Sequence, residues 1–252
     1  MDAQNYYPAL LMNNIPKIIH QIWSGISEPL PEHFRLLGET WKEHYPDWEY
    51  RFWDNVLMNN FIQEHYPQYW DIYSRFPYNV QRWDAIRYLI LDKMGGMYVD
   101  FDYESICNME ELLKDKSCCF ALEPELHTSI HGHERTVPVF NNALMLCAPQ
   151  HPFMKRIIEK VFTEEMVAYK EIRTVIVMNT TGPWMINDLY YYESTKQEQE
   201  EVYLIPAEYV TPFNMRQAKR LRLGELSEEL ESRLKEAYAI HYFFSEWVQS
   251  TN

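Results

Sequence analysis

Two aspartates, Asp100 and Asp102, stand two residues apart at the end of a short apolar stretch. Residues 97–102 alternate apolar and polar side chains, which predicts a strand with both carboxylates on one face. Carboxylates placed in this way can converge on one hard cation such as Mn²⁺ or Mg²⁺. The alternative is a solvated strand end that leads into a turn, and a bare Asp-X-Asp pair does not decide between the two.

A helix is predicted directly before this strand. Apolar residues recur at three- and four-residue steps from Val80 onward, which is the period of one buried helix face. Asp84 and Arg87 are three residues apart on that helix, so they can form an ion pair. Gly95 suits the end of the helix because glycine accepts the left-handed conformation, and Gly96 lets the chain turn at once into the strand.

The order D-A-x-R-x-x-x-L, followed by G-G-x-Y-x-D-x-D, resembles the sugar-nucleotide signature of glycosyltransferase family 32. This family includes fungal initiating mannosyltransferases and bacterial capsule and lipopolysaccharide sugar transferases. The matching residues are Asp84, Ala85, Arg87, Leu91, Gly95, Gly96, Tyr98, Asp100 and Asp102. The resemblance implies a GT-A fold, a Mn²⁺ or Mg²⁺ ion, a nucleotide-sugar donor, and transfer with retention of the anomeric configuration. It further implies a saccharide or a lipid-linked saccharide as the acceptor.

The resemblance also implies roles for the matching side chains. Asp102 would hold the metal ion on the donor diphosphate, and Asp100 would bind donor hydroxyls and support the metal. Arg87, oriented by Asp84, would contact the donor sugar or phosphate, and Tyr98 would position the sugar. We therefore expect Asp84, Arg87, Asp100 and Asp102 to be the catalytic residues.

Further donor contacts are expected beyond this stretch. Ile22 and Trp23 close the first predicted strand, where members of the family contact the nucleotide base. Asn141 and Asn142 lead a later strand that lines the donor-sugar and acceptor pocket in the family. A Thr-Gly-Pro turn at residues 181–183 precedes a helix, as it does beside the donor pocket of the family. The plain alternatives are a core tryptophan and ordinary turns.

Near the C-terminus, His241 and Trp247 stand at a spacing similar to that of the family's metal-binding histidine and diphosphate-contacting tryptophan. The family has a serine directly before this tryptophan. Here Glu246 takes that place and Ser245 stands one position earlier. We expect His241, ranked ahead of Glu246, to be the third metal ligand, and Trp247 to contact the donor.

Helical and extended stretches alternate along the chain, which predicts an α/β fold with a mostly parallel central sheet flanked by helices. Strands are predicted at residues 15–23, 48–53, 97–102, 118–123, 137–147, 171–178, 202–206 and 238–247, although a helix is an alternative for 171–178. Helices are predicted at residues 32–45, 55–65, 67–76, 79–94, 152–169, 184–192 and 227–237. We expect residues 1–252 to form a single domain, with residues 1–14 as a loosely held arm.

The charge balance restricts the partners. The chain of 252 residues has 23 Lys and Arg against 37 Asp and Glu, a net charge of −14, which argues against nucleic acid as a partner. A basic cluster at residues 216–222 could meet an anionic acceptor or a membrane surface, or could simply be solvated. Without an apolar run of membrane-spanning length, and by analogy with the bacterial members, we expect a cytoplasmic protein able to associate peripherally with the inner membrane face.

The predicted function is metal-dependent transfer of a hexose from a UDP- or GDP-sugar to a glycan or lipid-linked saccharide. One alternative is an inactive sugar-binding module, which the glutamate before Trp247 supports. The other is a metal-dependent phosphohydrolase that cleaves nucleotide sugars with water, although the clusters of His and Asp usual in such enzymes are missing from this sequence.

Overall fold

A computed structural model describes residues 14–125, 127 and 137–244 of the chain. The strands, in chain order, are β1 (Ile18–Ile22), β2 (Glu49–Trp53), β3 (Gly96–Val99), β4 (Tyr103–Ser105), β5 (Cys118–Leu122), β6 (Phe140–Cys147), β7 (Tyr203–Ile205) and β8 (Ala239–His241). The helices are α1 (Glu32–His44), α2 (Asn55–His65), α3 (Trp70–Arg75), α4 (Asn79–Met94), α5 (Pro152–Val161), α6 (Glu164–Ala168), α7 (Arg173–Thr180), α8 (Pro183–Tyr192), α9 (Lys196–Glu200), α10 (Ala207–Val210), α11 (Met215–Arg222) and α12 (Glu228–Leu234). A 3₁₀ turn at Pro67–Tyr69 precedes α3.

Six strands form the central sheet in the order β2-β1-β3-β6-β5-β7. β6 runs antiparallel to both of its neighbours, and the other strand pairs are parallel, so five of the six strands share one direction. The predicted α/β fold with a mostly parallel sheet is therefore confirmed. β4 and β8 pair separately as a small antiparallel ribbon, which brings the C-terminal part of the chain beside the end of β3.

The sheet is covered on both faces. Met97 and Val99 of β3 belong to one core cluster, with Trp41 of α1, whereas Tyr98 between them belongs to the other, with Leu89 of α4. Successive residues of β3 thus face opposite sides of the sheet, as predicted. The strand is apolar on both sides because both faces of the sheet are covered. Eleven of the sixteen residues of α4 are buried, so any charged side chain on this helix needs a partner close by.

The close approach of β3 to β1 requires a glycine at position 96. Its φ angle is +100°, and a Cβ atom at this position would lie 2.5 Å from the carbonyl oxygen of Ile18 in β1. The helix can therefore pass into β3 without a longer loop only because residue 96 has no side chain.

Replacing Gly96 with alanine should lower the free energy of unfolding by about 3 kcal/mol or more, because the side chain adds a backbone overlap to an unfavourable φ angle. Gly224 is the matched control, since its φ angle is +75° and a Cβ atom added there would have no neighbour within 4 Å. Gly224→Ala should cost only about 1 kcal/mol. Urea unfolding measures both, and equal losses would contradict the assigned role of Gly96.

The first correction concerns β3, which ends at Val99 rather than at residue 102. The amide of Asp100 still donates to the carbonyl of Ala143 in β6 at 2.8 Å, and the chain then turns, with the amide of Tyr103 donating to the carbonyl of Asp100 at 3.1 Å. Asp100 and Asp102 thus lie in a turn instead of along one strand face. Glu104, which follows them, belongs to β4 and accepts a hydrogen bond from the hydroxyl of Tyr242.

The second correction concerns residues 171–178, for which a strand was predicted. Most of this stretch forms helix α7, which buries Ile176 and Val177. The β-branched composition favours a strand only weakly, and packing on neighbouring elements decides such cases. The carbonyl of Val177 accepts hydrogen bonds from the amides of Thr181 and Gly182, so this helix ends at the Thr-Gly-Pro turn.

Smaller differences concern the ends of elements. The helix predicted at 152–169 is two helices, because α5 ends at Val161 and the hydroxyl of Thr163 caps the start of α6. Residues 194–201, for which no element was predicted, contain the short helix α9, capped by Thr195. Strands β1, β7 and β8 are shorter than predicted. Nearly all of the predicted N-terminal arm lies outside the described residues, and none of the described helices has both the length and the apolar character needed to cross a membrane.

Candidate active site

The buried Arg87 of α4 holds one group of predicted residues together. Its Nη2 lies 3.1 Å from Oδ1 of Asp84, its Nη1 donates to the carbonyl of Asn142 at 2.9 Å, and the guanidinium lies 4.4 Å from the centre of the Tyr98 ring. Nη1 is also 3.4 Å from Oδ1 of Asp100. The predicted Asp84–Arg87 ion pair is therefore confirmed. We call these five residues the Arg87 cluster.

Asp84 is held by more partners than the ion pair. Its Oδ1 accepts a hydrogen bond from Nδ2 of Asn142 at 3.1 Å, and its Oδ2 accepts one from the hydroxyl of Thr181 at 3.1 Å. Burial nonetheless raises the pKa of Asp84 to about 6, because Arg87 and these hydrogen bonds offset the loss of hydration only in part. Thr181 was not among the predicted site residues, although the Thr-Gly-Pro turn was the sequence signal for it.

The pKa of Asp84 leads to a pH prediction. Below about pH 6 the Asp84 carboxylate takes up a proton and no longer balances Arg87, so the rate of the sugar transfer that the resemblance implies should rise with pH through about 6. Thr181→Val removes a hydrogen bond that favours the charged form and should move this acid limb to higher pH. Thr180→Val is the control, because the Thr180 hydroxyl contacts Gln81 instead. If the acid limb of the Thr181→Val variant stayed at the pH of the wild type, this assignment would be contradicted.

Asp100 is directed toward the Arg87 cluster. Its Oδ1 accepts a hydrogen bond from the hydroxyl of Tyr98. Its side chain remains 32% exposed, so a ligand can reach the carboxylate from outside. Burial of the surrounding site raises the pKa of Asp100, while Arg87 works in the opposite direction.

Asp102 faces a different partner on the C-terminal strand. Its Oδ1 lies 3.3 Å from Nε2 of His241, and its Oδ2 accepts a hydrogen bond from the amide of Phe244 at 3.1 Å. The imidazole contacts two rings, with centroid distances of 4.2 Å to Tyr103 and 3.9 Å to Phe243. His241, predicted as the third metal ligand, thus contacts Asp102, and its role as a ligand stays a prediction.

Asp102 and His241 stabilise each other's charged forms. Burial opposes both ionised forms, but the histidine and the Phe244 amide hold the pKa of Asp102 below its usual range. In the same way, the Asp102 carboxylate raises the pKa of His241 against the effect of burial. The pair therefore keeps a carboxylate at the edge of the sheet, 16% exposed, where a cation could bind.

The donor atoms at this pair suit Mn²⁺ or Mg²⁺. They are a carboxylate oxygen, which both ions prefer, and an imidazole nitrogen, which can bind an ion only after His241 has given up its proton. Within the described ranges, Nδ1 of His241 is buried and has no hydrogen-bond partner, which is unusual for a buried polar atom. Asp102 and His241 would hold the ion, and Asp100 would reach it through water, because its carboxylate already contacts Tyr98 and Arg87.

The three predicted ligands do not form a compact set by themselves. Among the His, Cys, Asp and Glu side chains that the structure describes, the only three with ligand atoms within 4.8 Å of one another are Cys118, Cys147 and His151 in the core. Burial raises the pKa of the Cys118 thiol well above its usual value, which disfavours the thiolate that a metal needs. Oxygen atoms of a bound diphosphate would have to complete the shell around Asp102 and His241.

Asn141 lies in a neighbouring network rather than in the Arg87 cluster. Its Nδ2 donates to the hydroxyl of Tyr103 at 3.1 Å and to Oε1 of Glu123 at 2.6 Å. Oε2 of Glu123 lies 2.6 Å from Nδ1 of His127, whose Nε2 accepts the amide of Met215 at 3.2 Å. Glu123 was not predicted as a site residue, although its position directly after β5 was the available signal. Asn141 thus helps to position the residues around Asp102.

Trp23 follows β1 and lies at the same edge of the sheet. Its indole Nε1 donates to the carbonyl of Glu28 at 3.0 Å, and its ring is 5.6 Å from Phe34. Phe34 in turn lies 5.2 Å from Phe244, so an aromatic row connects Trp23 to the chain segment that holds Asp102. Ile22 packs against the core. Its contact with a nucleotide stays a prediction.

The structure thus brings most of the predicted site residues to one edge of the sheet, as the Arg87 cluster and the Asp102–His241 pair. Asn142 belongs to this site through Asp84, while Asn141 supports it from the side. Trp247 and Glu246 lie outside the described residues. Their predicted contacts with the donor and the metal therefore remain predictions.

Comparison with known proteins identifies relatives of this chain. Residues 31–118 match the family model described as a glycosyltransferase sugar-binding region containing a DXD motif. The chain is 32% identical over 177 residues to inositol phosphoceramide mannosyltransferase 2 of Schizosaccharomyces pombe, covering 70% of this chain and 46% of the relative. It is 25% identical over 215 residues to the initiation-specific alpha-1,6-mannosyltransferase of Candida albicans, covering 75% and 56%. The chain spans about half the length of these curated relatives.

The fold has counterparts among solved structures. The PaToxG glycosyltransferase superimposes with a TM-score of 0.52 at 14% identity, and the match covers 89% of each chain. At this identity the likeness shows the GT-A fold alone. The DXD region and the mannosyltransferase relatives support a glycosyltransferase of the family 32 type.

Proposed function

We propose that this chain transfers a hexosyl group from a nucleotide diphosphate sugar to a hydroxyl acceptor with the help of Mn²⁺ or Mg²⁺. The observation that carries the proposal is the placement of the Asp102–His241 pair beside the Arg87 cluster at the carboxyl edge of the sheet. Ligands of α/β sheets bind at this edge. Because these relatives are named mannosyltransferases, a mannosyl group is the first candidate for the transferred sugar.

The side chains divide the task between two groups. When bound, the metal ion would neutralise the negative charge that develops on the leaving diphosphate, and Asp102 with His241 would hold it. Arg87 is fixed by Asp84, Asn142 and the Tyr98 ring, so its charge needs no reorientation when the sugar–phosphate bond breaks. Retention of the anomeric configuration is proposed from the family resemblance.

The acceptor is proposed from the relatives. One of them is named for inositol phosphoceramide, a lipid with a phosphate-linked polyol headgroup, so we propose a hydroxyl of an anionic lipid headgroup or of a lipid-linked saccharide. The location that follows from this acceptor is a membrane surface. An anionic acceptor would be attracted by local groups of basic residues, although the net charge of the chain is negative.

The proposal is tested by product analysis. The chain is incubated with GDP-mannose and a panel of UDP- and GDP-hexoses, with Mn²⁺, and with vesicles that contain a phosphoinositol lipid. We expect one donor to yield a lipid product whose mass has increased by one hexose residue. Hexose 1-phosphate formed equally with and without acceptor would indicate a phosphohydrolase, because water then attacks the diphosphate rather than the sugar. Donor binding without any product from the panel would instead favour the inactive sugar-binding module.

A further inference from the structure

Helix α11 concentrates positive charge in an acidic protein. Four of its eight residues are cationic, and all four are exposed: Arg216, Lys219, Arg220 and Arg222. Large apolar side chains are exposed next to them, with Met215 at 42%, Leu223 at 66% and Leu226 at 59%. Such exposure of apolar side chains beside lysine and arginine is typical of helices that lie in a membrane interface.

The cationic and apolar side chains lie on one side of the helix. Met215, Lys219 and Leu223 are four residues apart and form a row along it, because side chains at this spacing stack on one helix face. Arg216 and Arg220 fall on one side of the row and Arg222 on the other. The opposite side packs inward through the buried Ala218 and the partly buried Leu221. We call the six outward-facing side chains of residues 215, 216, 219, 220, 222 and 223 the basic–apolar face.

Most of the charge on this face is available to a partner. Arg220 forms an ion pair with Glu225 at 3.2 Å. No carboxylate of the described residues lies within 4.0 Å of Arg216, Lys219 or Arg222. Helix α12, which follows, carries several glutamates, and one of them accepts a hydrogen bond from Gln217 on the flank of α11. Three of the four cationic side chains of α11 therefore have no ion-pair partner among the described residues.

Both ends of α11 are attached to the candidate active site. At its start, the amide of Met215 donates to His127, which contacts Glu123. At its end, the guanidinium of Arg222 lies 4.3 Å from the centre of the Phe244 ring. The amide of Phe244 donates to Asp102. A surface that binds α11 would therefore lie close to the site.

We propose that the basic–apolar face binds the surface of an anionic membrane and holds the active site against the lipid headgroups. The arginines and the lysine would contact phosphate groups, and Met215 and Leu223 would enter the boundary between headgroups and acyl chains. The exposed side chains of Met215 and Leu223 argue for lipid over nucleic acid, and so does the net charge of −14. This proposal goes beyond the transfer reaction and does not require it to occur.

Vesicle sedimentation without any sugar donor tests the proposal. The chain should bind vesicles of phosphatidylcholine mixed with phosphatidylinositol and should not bind phosphatidylcholine alone, and salt should weaken the binding. Each Lys or Arg near an anionic surface contributes about fivefold to the partition coefficient. Arg216→Gln, Lys219→Gln and Arg222→Gln, combined in one variant, should therefore lower partitioning at least about tenfold.

The control removes the same charge elsewhere. Lys114, Lys155 and Lys170 are exposed and lie outside α11, so their combined change to Gln should leave partitioning within about twofold. Leu223→Ser should weaken binding to the anionic vesicles several-fold without changing its salt dependence. Equal binding to both kinds of vesicle, no binding to either, or equal losses in the two triple variants would overturn the proposal. Circular dichroism verifies that each variant is folded.

Discussion

Asp102→Asn is expected to reduce the rate of sugar transfer by at least about a thousandfold, because a divalent ion contributes several kcal/mol to stabilising the leaving group. The substitution removes the charge and keeps an oxygen that can still accept the Phe244 amide hydrogen bond. The fold should therefore remain intact, with an unchanged circular dichroism spectrum. Raising the Mn²⁺ concentration should not restore the rate.

Glu104→Gln is the matched control for Asp102→Asn. Glu104 is a carboxylate two residues further along, and it also contacts the C-terminal segment, through the hydroxyl of Tyr242. Its replacement should change the rate by no more than about twofold, since it contacts neither His241 nor the Arg87 cluster. Similar losses in the two variants would indicate that Asp102 acts by holding the C-terminal segment, and they would contradict a role in binding metal.

Arg87→Lys is expected to lower kcat about a hundredfold or more, although the positive charge is kept, because lysine cannot replace a planar group that donates in several directions. The guanidinium contacts Asp84, Asp100 and the carbonyl of Asn142 together. Lysine would leave at least one of these buried groups without its partner, which should cost about 1–3 kcal/mol of stability. Kinetics and urea unfolding measure the two effects.

Arg82→Lys is the control on the same helix. Arg82 is only partly buried and donates to Asn79 within the first turn of α4. Its replacement should leave kcat within about twofold and stability within about 0.5 kcal/mol. If Arg87→Lys retained the wild-type kcat at a measurable cost in stability, Arg87 would be a structural residue and not a catalytic one.

Much of the site could be predicted because its main residues are close together in the sequence. The helix period places Asp84 and Arg87 on one face, and Gly95 and Gly96 mark the turn that brings Asp100 to the edge of the sheet. These relations extend over a few residues, so local patterns determine them. The same patterns predicted the Asp84–Arg87 pair, which the structure confirms.

The residues that were missed reach the site through long-range contacts. Thr181 contacts Asp84 across 97 positions of sequence, and no local pattern determines such a contact. Glu123 and His127 belong to the site only because β5 ends beside β6 and α11 starts nearby. The turn after Val99 was missed for a similar reason, since pairing between β4 and β8 draws Tyr103 away from the direction of β3.

The measurement that tests the central claim most directly is nucleotide release from the panel of UDP- and GDP-sugars, with Mn²⁺ and after treatment with EDTA. We predict that one donor releases its nucleotide when Mn²⁺ is present, that release stops on chelation, and that Asp102→Asn shows none under either condition. Release that continues undiminished in EDTA, or in the Asp102→Asn variant, would contradict a metal-dependent transferase site at Asp102 and His241.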